Sequence, residues 1–172
     1  METWEALTTR RQIREYTDEP VDAADLDRIL EAGRISPSGH NSQPWHFVVI
    51  DNQDTISALA ETWQGAAWIT SAPVVIAVLG DRVEGQYMKL YVTYDLGQAV
   101  NCMTLVATDL GLATGQCGVM NQKLARSILG YPEEVICSQL VTVGHSSKPL
   151  RPLTKLNRRS FDDVVHRGAW GS

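Results

Sequence analysis

Three arginines crowd into the run Arg10-Arg11-Gln12-Ile13-Arg14, and a polar turn follows at Pro37-Ser38-Gly39-His40-Asn41-Ser42-Gln43-Pro44-Trp45. Guanidinium groups held so close repel one another, by a few tenths of a kcal/mol per close pair on a helix. A phosphate dianion would convert that repulsion into charge-assisted hydrogen bonds of about 1.5–3 kcal/mol each. Read as helix, the four-residue spacing puts Arg10 and Arg14 on one face. The second run is fixed by two prolines and loosened by Gly39, and its Ser38, Asn41 and Gln43 offer uncharged donors and acceptors. Such groups suit the edge of a heteroaromatic ring or a polyol. Together the two runs describe a site for a phosphorylated planar cofactor. Each also has a plainer reading. The arginines could form a solvated patch facing Glu15, Asp18 and Glu19, and the turn could simply join a helix to a strand.

The order Arg-Arg-x-x-Arg, a short helix, then Pro-Ser-Gly-x-Asn-x-Gln-Pro-Trp entering a strand resembles the nitroreductase-like FMN flavoprotein superfamily. The likeness continues through Gly111-Leu112-Ala113-Thr114 and the loop Gly115-Gln116-Cys117-Gly118 to the late pair Arg158-Arg159. It implies that Arg10, Arg11, Gln12 and Arg14 serve the FMN phosphate and ribityl chain. It implies that Pro37, Ser38, Gly39, Asn41 and Gln43 reach across a homodimer to the flavin of the other subunit. The backbone of Gly115–Gly118 would run beside the isoalloxazine ring, where amide N–H groups could stabilise incoming electron density. Arg158 or Arg159 would supply a second phosphate ligand. Gln12 replaces the serine usual after the arginine pair, and Gln116 stands near a position that is often aromatic.

The same resemblance implies an α+β, nitroreductase-like fold: a central, mostly antiparallel sheet flanked by helices, with one long helix at the dimer core. The activity it implies moves electrons from NADH or NADPH through bound FMN to a nitroaromatic, quinone or similar acceptor, in a ping-pong cycle. A protein that stores or senses FMN, or a flavoenzyme of the same fold with another reaction, is the alternative. The chain is short for the superfamily and lacks the insertion that often roofs the substrate pocket.

Other chemistries are poorly represented. The net charge of −5 disfavours nucleic acid. Cys102, Cys117 and Cys137 have no CxxC or CxxH spacing, and four scattered histidines make no metal set. Cys117 reads either as a redox thiol or as a small packed residue. No nucleophile elbow and no paired carboxylates in catalytic context occur, which suits chemistry carried by a cofactor. With no apolar run long enough to span a bilayer and no signal-like start, a cytoplasmic protein is expected.

The elements that must position these residues are read from periodicity. A single domain over residues 1–172 is expected. Residues 1–10 predict a short helix with Trp4 and Leu7 on one side. Asp22 caps a second helix bearing the stripe Leu26, Ile29, Leu30 and Gly33, which Pro37 stops. Trp45–Ile50 predicts a mostly buried strand, 51–68 a helix, and Pro73–Leu79 a second strand. Tyr87–Leu110 is the longest helix and Gly111 its stop. The glycine-rich 111–118 run predicts an interhelical loop, Asn121–Leu129 a short helix and Val135–Val143 a third strand. Ser160 and Asp163 have the spacing of a capping pair for a last helix to His166. Trp63, Trp68, Tyr87, Tyr91 and Tyr94 could line a pocket, or belong to core or interface.

Overall fold

In a computed structural model, the described residues are 1–155 and 157–171. The chain runs α1 (Thr3–Thr9), α2 (Ala23–Arg34), β1 (Trp45–Ile50), α3 (Gln53–Ala60), β2 (Val74–Asp81), α4 (Gln86–Asp109), β3 (Ala113–Gly118), α5 (Gln122–Leu129) and β4 (Val135–Gly144). The four strands form one sheet in the order β1-β2-β4-β3, every neighbouring pair antiparallel. The fold is α+β, with helices covering both faces.

The sheet sorts its side chains by the two-residue period of a strand. On β2, Val74, Ile76 and Val78 join Trp45, Leu96, Val100 and Met103 under α2 and α4. The alternate residues Val75, Ala77 and Leu79 join Ile56, Leu59, Ala125 and Leu140 under α3 and α5. Being buried on both faces, β2 reads as a continuous apolar run. Strand β1 lies at an edge, so His46 and Val49 remain exposed. It is less buried than its composition predicts.

Several boundaries follow from local chemistry. Asp22 accepts from the Ala24 N–H, Asn52 from Thr55 and Asn121 from Leu124, each satisfying an orphan donor of a first turn. Helix α4 ends where Gly111 takes φ +80°, while Leu112 N–H donates to Ala107 O and Gly111 N–H to Thr108 O. This paired arrangement requires a left-handed residue, which glycine supplies without steric cost.

Four expectations about the elements are corrected. The 111–118 run is not an interhelical loop: residues 113–118 form β3, paired along its length with β4. Val135–Gly144 is therefore the fourth strand. The predicted 51–68 helix stops at Ala60, and a short 3₁₀ turn at Ala67–Ser71 follows it. The reciprocal bonds Ser160 N–H to Asp163 Oδ2 and Asp163 N–H to Ser160 Oγ do form, yet they close a single turn without a helix. Short helices gain most of their stability from packing, and Phe161 and Val164 pack on little here, being exposed. The short first helix does form: α1 buries Ala6 and Thr9, while Trp4 (74% exposed) and Leu7 both face outward.

Candidate functional site

Helix α1 ends before the arginines, so Arg10 and Arg14 do not share a helix face. Arg10 has an extended backbone, and the segment after it runs beside β3. Gln12 bridges Thr114 in parallel, and Ile13 N–H donates to Thr114 O at 2.9 Å. In an extended chain it is alternate residues that share a side, which groups Arg10, Gln12 and Arg14. The close approach depends on Gly115. A Cβ there would collide with Ile13 O and stand 2.7 Å from the Trp68 ring.

The three arginines have different surroundings. Arg11 is engaged with backbone: its Nε donates to Thr9 O at 3.0 Å and its terminal nitrogen to Arg151 O. Arg14 is exposed, with its guanidinium over the Trp68 ring at 5.7 Å from the centroid. Arg10 Nε is buried and has no hydrogen-bond partner among the described residues, as is the neighbouring Thr9 Oγ1. Nearby acids are paired elsewhere: Glu15 with Lys148 at 2.9 Å, and Glu19 with His145 at 3.7 Å. Among the described residues, no ion pair joins Glu15 or Glu19 to the arginine run.

Gln12 does not extend free toward a ligand. Its Nε2 donates to Gln116 O at 2.6 Å, and its Oε1 accepts from Gln116 N–H at 2.9 Å. The N-terminal run and the 115–118 run are thus brought together. Within that strand, Cys117 is buried and belongs to the α3/α5 core. Burial pushes its thiol up to about 11 and that of Cys137 up to about 12, so both stay protonated. Cys117 is the packed residue, and its backbone pairs opposite Leu140 of the neighbouring strand β4.

The Pro37–Gln43 segment lies at the opposite edge of the sheet, leading into β1. Three of its non-glycine residues take left-handed backbone, His40 at φ 53°, Asn41 at 56° and Gln43 at 49°. Each such residue is strained and persists only where the surroundings fix it. Ser38 Oγ accepts from Gln43 N–H at 3.0 Å, and Gln43 Nε2 donates to Asn41 O at 3.3 Å. The exposed Asn41 side chain remains for an external partner. Helix α4 holds the segment from beneath. Asp95 Oδ2 accepts from Gly39 N–H at 3.1 Å, and Gln98 Nε2 donates to Pro37 O at 3.3 Å and to Asp95 Oδ1 at 3.2 Å. Asp95 is only 2% exposed. Sequence reading missed both residues; the one available signal was a carboxylate at the helical phase of Val92, Leu96 and Ala99.

Arg158 and Arg159 are exposed on the C-terminal segment. They donate to Asn157 O and Asp163 O, at 2.7 and 2.6 Å. That segment first doubles back along the arginine run, with Leu153 N–H donating to Thr8 O at 3.1 Å. Within one chain the arginines and the Asn41 turn flank the sheet rather than meet. Three strand spacings of about 4.8 Å separate its edge strands. Among the described residues no group of three His, Cys, Asp or Glu could hold a metal ion, and no helix is long and apolar enough to cross a membrane.

Comparison with known proteins adds the following. Residues 7–67 match the family described as "Nitroreductase family". The chain is 31% identical over 175 residues to a Methanothermobacter thermautotrophicus protein provisionally named NADH dehydrogenase/NAD(P)H nitroreductase, covering 99% of this chain and 88% of that one. It is 28% identical to "FMN reductase [NAD(P)H]" of Bacillus subtilis, covering 92% of this chain and 73% of that one. A solved nitroreductase family protein of Clostridium difficile superposes with a TM-score of 0.86 at 26% identity, covering 98% of this chain and 99% of that one.

Proposed function

This chain belongs to the nitroreductase family, and from that premise we propose that it is an FMN-dependent oxidoreductase drawing electrons from NADH or NADPH. The observation that carries the reading is the buried Nε of Arg10, without a hydrogen-bond partner among the described residues, together with the exposed guanidinium of Arg14 stacked over Trp68 on the same run. A buried cationic donor without an acceptor is costly, and a phosphate oxygen is the natural acceptor. The donor set therefore fits the phosphate end of FMN. When bound, FMN supplies the two-electron chemistry that no side chain here can perform.

The residues of this chain bind and orient. Arg10 and Arg14 would hold the phosphate. Gln12 fixes the strand edge by taking up the N–H and C=O of Gln116, so Gly115, Gln116, Cys117 and Gly118 would meet the ring as a strand already held in place rather than as a row of free donors. Arg11 braces the returning C-terminal segment. Arg158 or Arg159, on that segment, would supply a second phosphate ligand.

We further propose a homodimer with two shared sites. The separation of the arginine run from Pro37, Ser38, Gly39, Asn41 and Gln43 across the sheet supports this, since a two-fold operation can bring one edge of a chain to the other edge of its copy. The outward-facing Trp4, Leu90 and Tyr94 supply apolar surface for such a contact. A ping-pong cycle follows, with the nicotinamide donor leaving before a nitroaromatic, quinone or similar acceptor enters. All of this would be performed by one domain spanning residues 1–172.

The absorption spectrum of the purified protein tests the proposal. A bound yellow flavin that bleaches on anaerobic NADPH or NADH and recovers with a quinone is expected. Protein that neither purifies with FMN nor binds it when supplied overturns the reading. Tightly bound flavin left oxidised by both donors would favour storage instead.

A further inference from the structure

Under the Asn41 turn lies a cavity of about 290 Å³, formed by the segment from Gly39 to Pro44, Asp81 and Val83 after β2, and the first turns of α4. Its volume lies just below the usual range for small-molecule pockets, about 300–1,000 Å³, and suits one ring with a short substituent. One wall is aromatic. Tyr87 and Tyr91 meet edge to face with centroids 4.7 Å apart, and their hydroxyls are hydrogen-bonded at 2.7 Å. Val83, Met88 and Val92 complete the apolar surface.

Two carboxylates face this space, Asp95 and Asp81. Asp95 is buried and accepts from Gly39 N–H and Gln98 Nε2, which occupies part of a capacity of roughly four acceptor sites. Asp81, half exposed, has the His46 Nε2 at 3.5 Å. The other ionisable side chain at the wall besides the two phenols is His40. The nearest basic residues in sequence, Arg82 and Lys89, line an adjoining cavity that shares Asp81, Val83 and Val92 with this one, so Asp81 also borders those cations while Asp95 faces this space alone. The left-handed residues of the turn and the tether from Asp95 to Gly39 hold the walls in place before any ligand arrives.

We propose that this cavity is a binding site for a single aromatic ring bearing a protonated amine. The tyrosine faces and the apolar side chains take the ring, since aromatic quadrupoles favour edge or cationic approach. Asp95 and Asp81 take the ammonium group. A ring bearing a carboxylate would instead face two like charges, one of them desolvated. The site uses none of the arginines that would hold FMN, but its wall includes Gly39, which the proposed dimer sets toward the partner's flavin, so it rests on that reading only through this shared segment.

The test is binding of benzylamine, benzyl alcohol and benzoate to the protein as purified, by calorimetry or ligand-observed NMR. Benzylamine is expected to bind at least about fivefold more tightly than benzyl alcohol, the size of one partly exposed charge pair, and benzoate most weakly. Asp81→Asn should shrink the benzylamine advantage, and Tyr87→Ala should weaken all three rings; both positions are exposed, so the fold tolerates the changes. Benzoate binding as well as benzylamine, an order untouched by Asp81→Asn, or no binding at millimolar ligand would each overturn the inference. Loss of NADPH-driven turnover with the binding order intact would sink only the electron-transfer reading.

Discussion

The side-chain amide of Gln12 closes on the backbone of Gln116 from both sides, donating through Nε2 at 2.6 Å and accepting through Oε1 at 2.9 Å. It acts as one rung of a ladder between the arginine run and β3, where the backbone bridge at Thr114 ends. A serine at position 12 is too short to make both bonds. The departure from the family pattern thus alters what holds the strand edge.

Gln12→Ala should therefore cost about 1–2 kcal/mol, the net worth of two accessible hydrogen bonds. For a domain of this size that corresponds to a fall in Tm of roughly 2–8 °C. Thermal unfolding of the flavin-free protein checks it. Hydrogen exchange at Gln116 should accelerate while that of the β2 core does not.

Arg10→Ala and Arg11→Ala should part company. Removing Arg10 is expected to weaken FMN binding by about 1–3 kcal/mol, a charge-assisted contact, with little change in apo stability. Removing Arg11 frees the Arg151 carbonyl, so its effect should appear first as protease sensitivity of the C-terminal segment. Flavin titration and limited proteolysis of both variants measure the split.

Gly115→Ala should be severe. The new methyl has Ile13 O and the Trp68 ring in its path, and backbone cannot yield as a side chain tip can. A loss of about 2 kcal/mol or more is expected, with FMN binding lost alongside it. Denaturant unfolding and flavin retention on purification read the two effects.

Alkaline pH should destabilise the fold through its buried thiols. Cys117 and Cys137 ionise near 9.0 when unfolded, but only near about 11 and about 12 in the fold. Above pH 9 the unfolded chain holds fewer protons than the native one, so stability falls as pH rises through the 9–12 window. Burial raises Tyr16 in the same direction, partly opposed by its hydrogen bond to Thr142. Urea unfolding across that window should show the decline, and Cys137→Ala should flatten part of it. At pH 8 a thiol reagent should label native protein at Cys102 alone.

Mixed dimers probe the shared site. An Arg10→Ala chain paired with an Asn41→Ala chain should give one intact site and one doubly damaged site. A purified heterodimer is expected to carry about half the normal flavin. Two equally weakened sites would place both residues in one chain's pocket.

Where a signal is local, the sequence by itself determined the outcome. Asp22 and Asn121 cap their helices, Gly111 and Gly130 end theirs, and the valine-rich β2 stands where its residues predict. The two polar runs that suggest a phosphorylated cofactor were likewise legible, because arginine spacing and turn composition survive without coordinates. Tertiary structure alone decided the rest. Ala113-Thr-Gly-Gln-Cys-Gly has little intrinsic preference for a strand and becomes β3 only because β4 and the arginine run pair with it. Asp95 gains its role from the Gly39 N–H, 56 positions away in sequence, and no periodicity announces such a partner. The placement of the arginines and the Asn41 turn on opposite sheet edges is also invisible in one dimension, since strand order is set by packing over the whole chain.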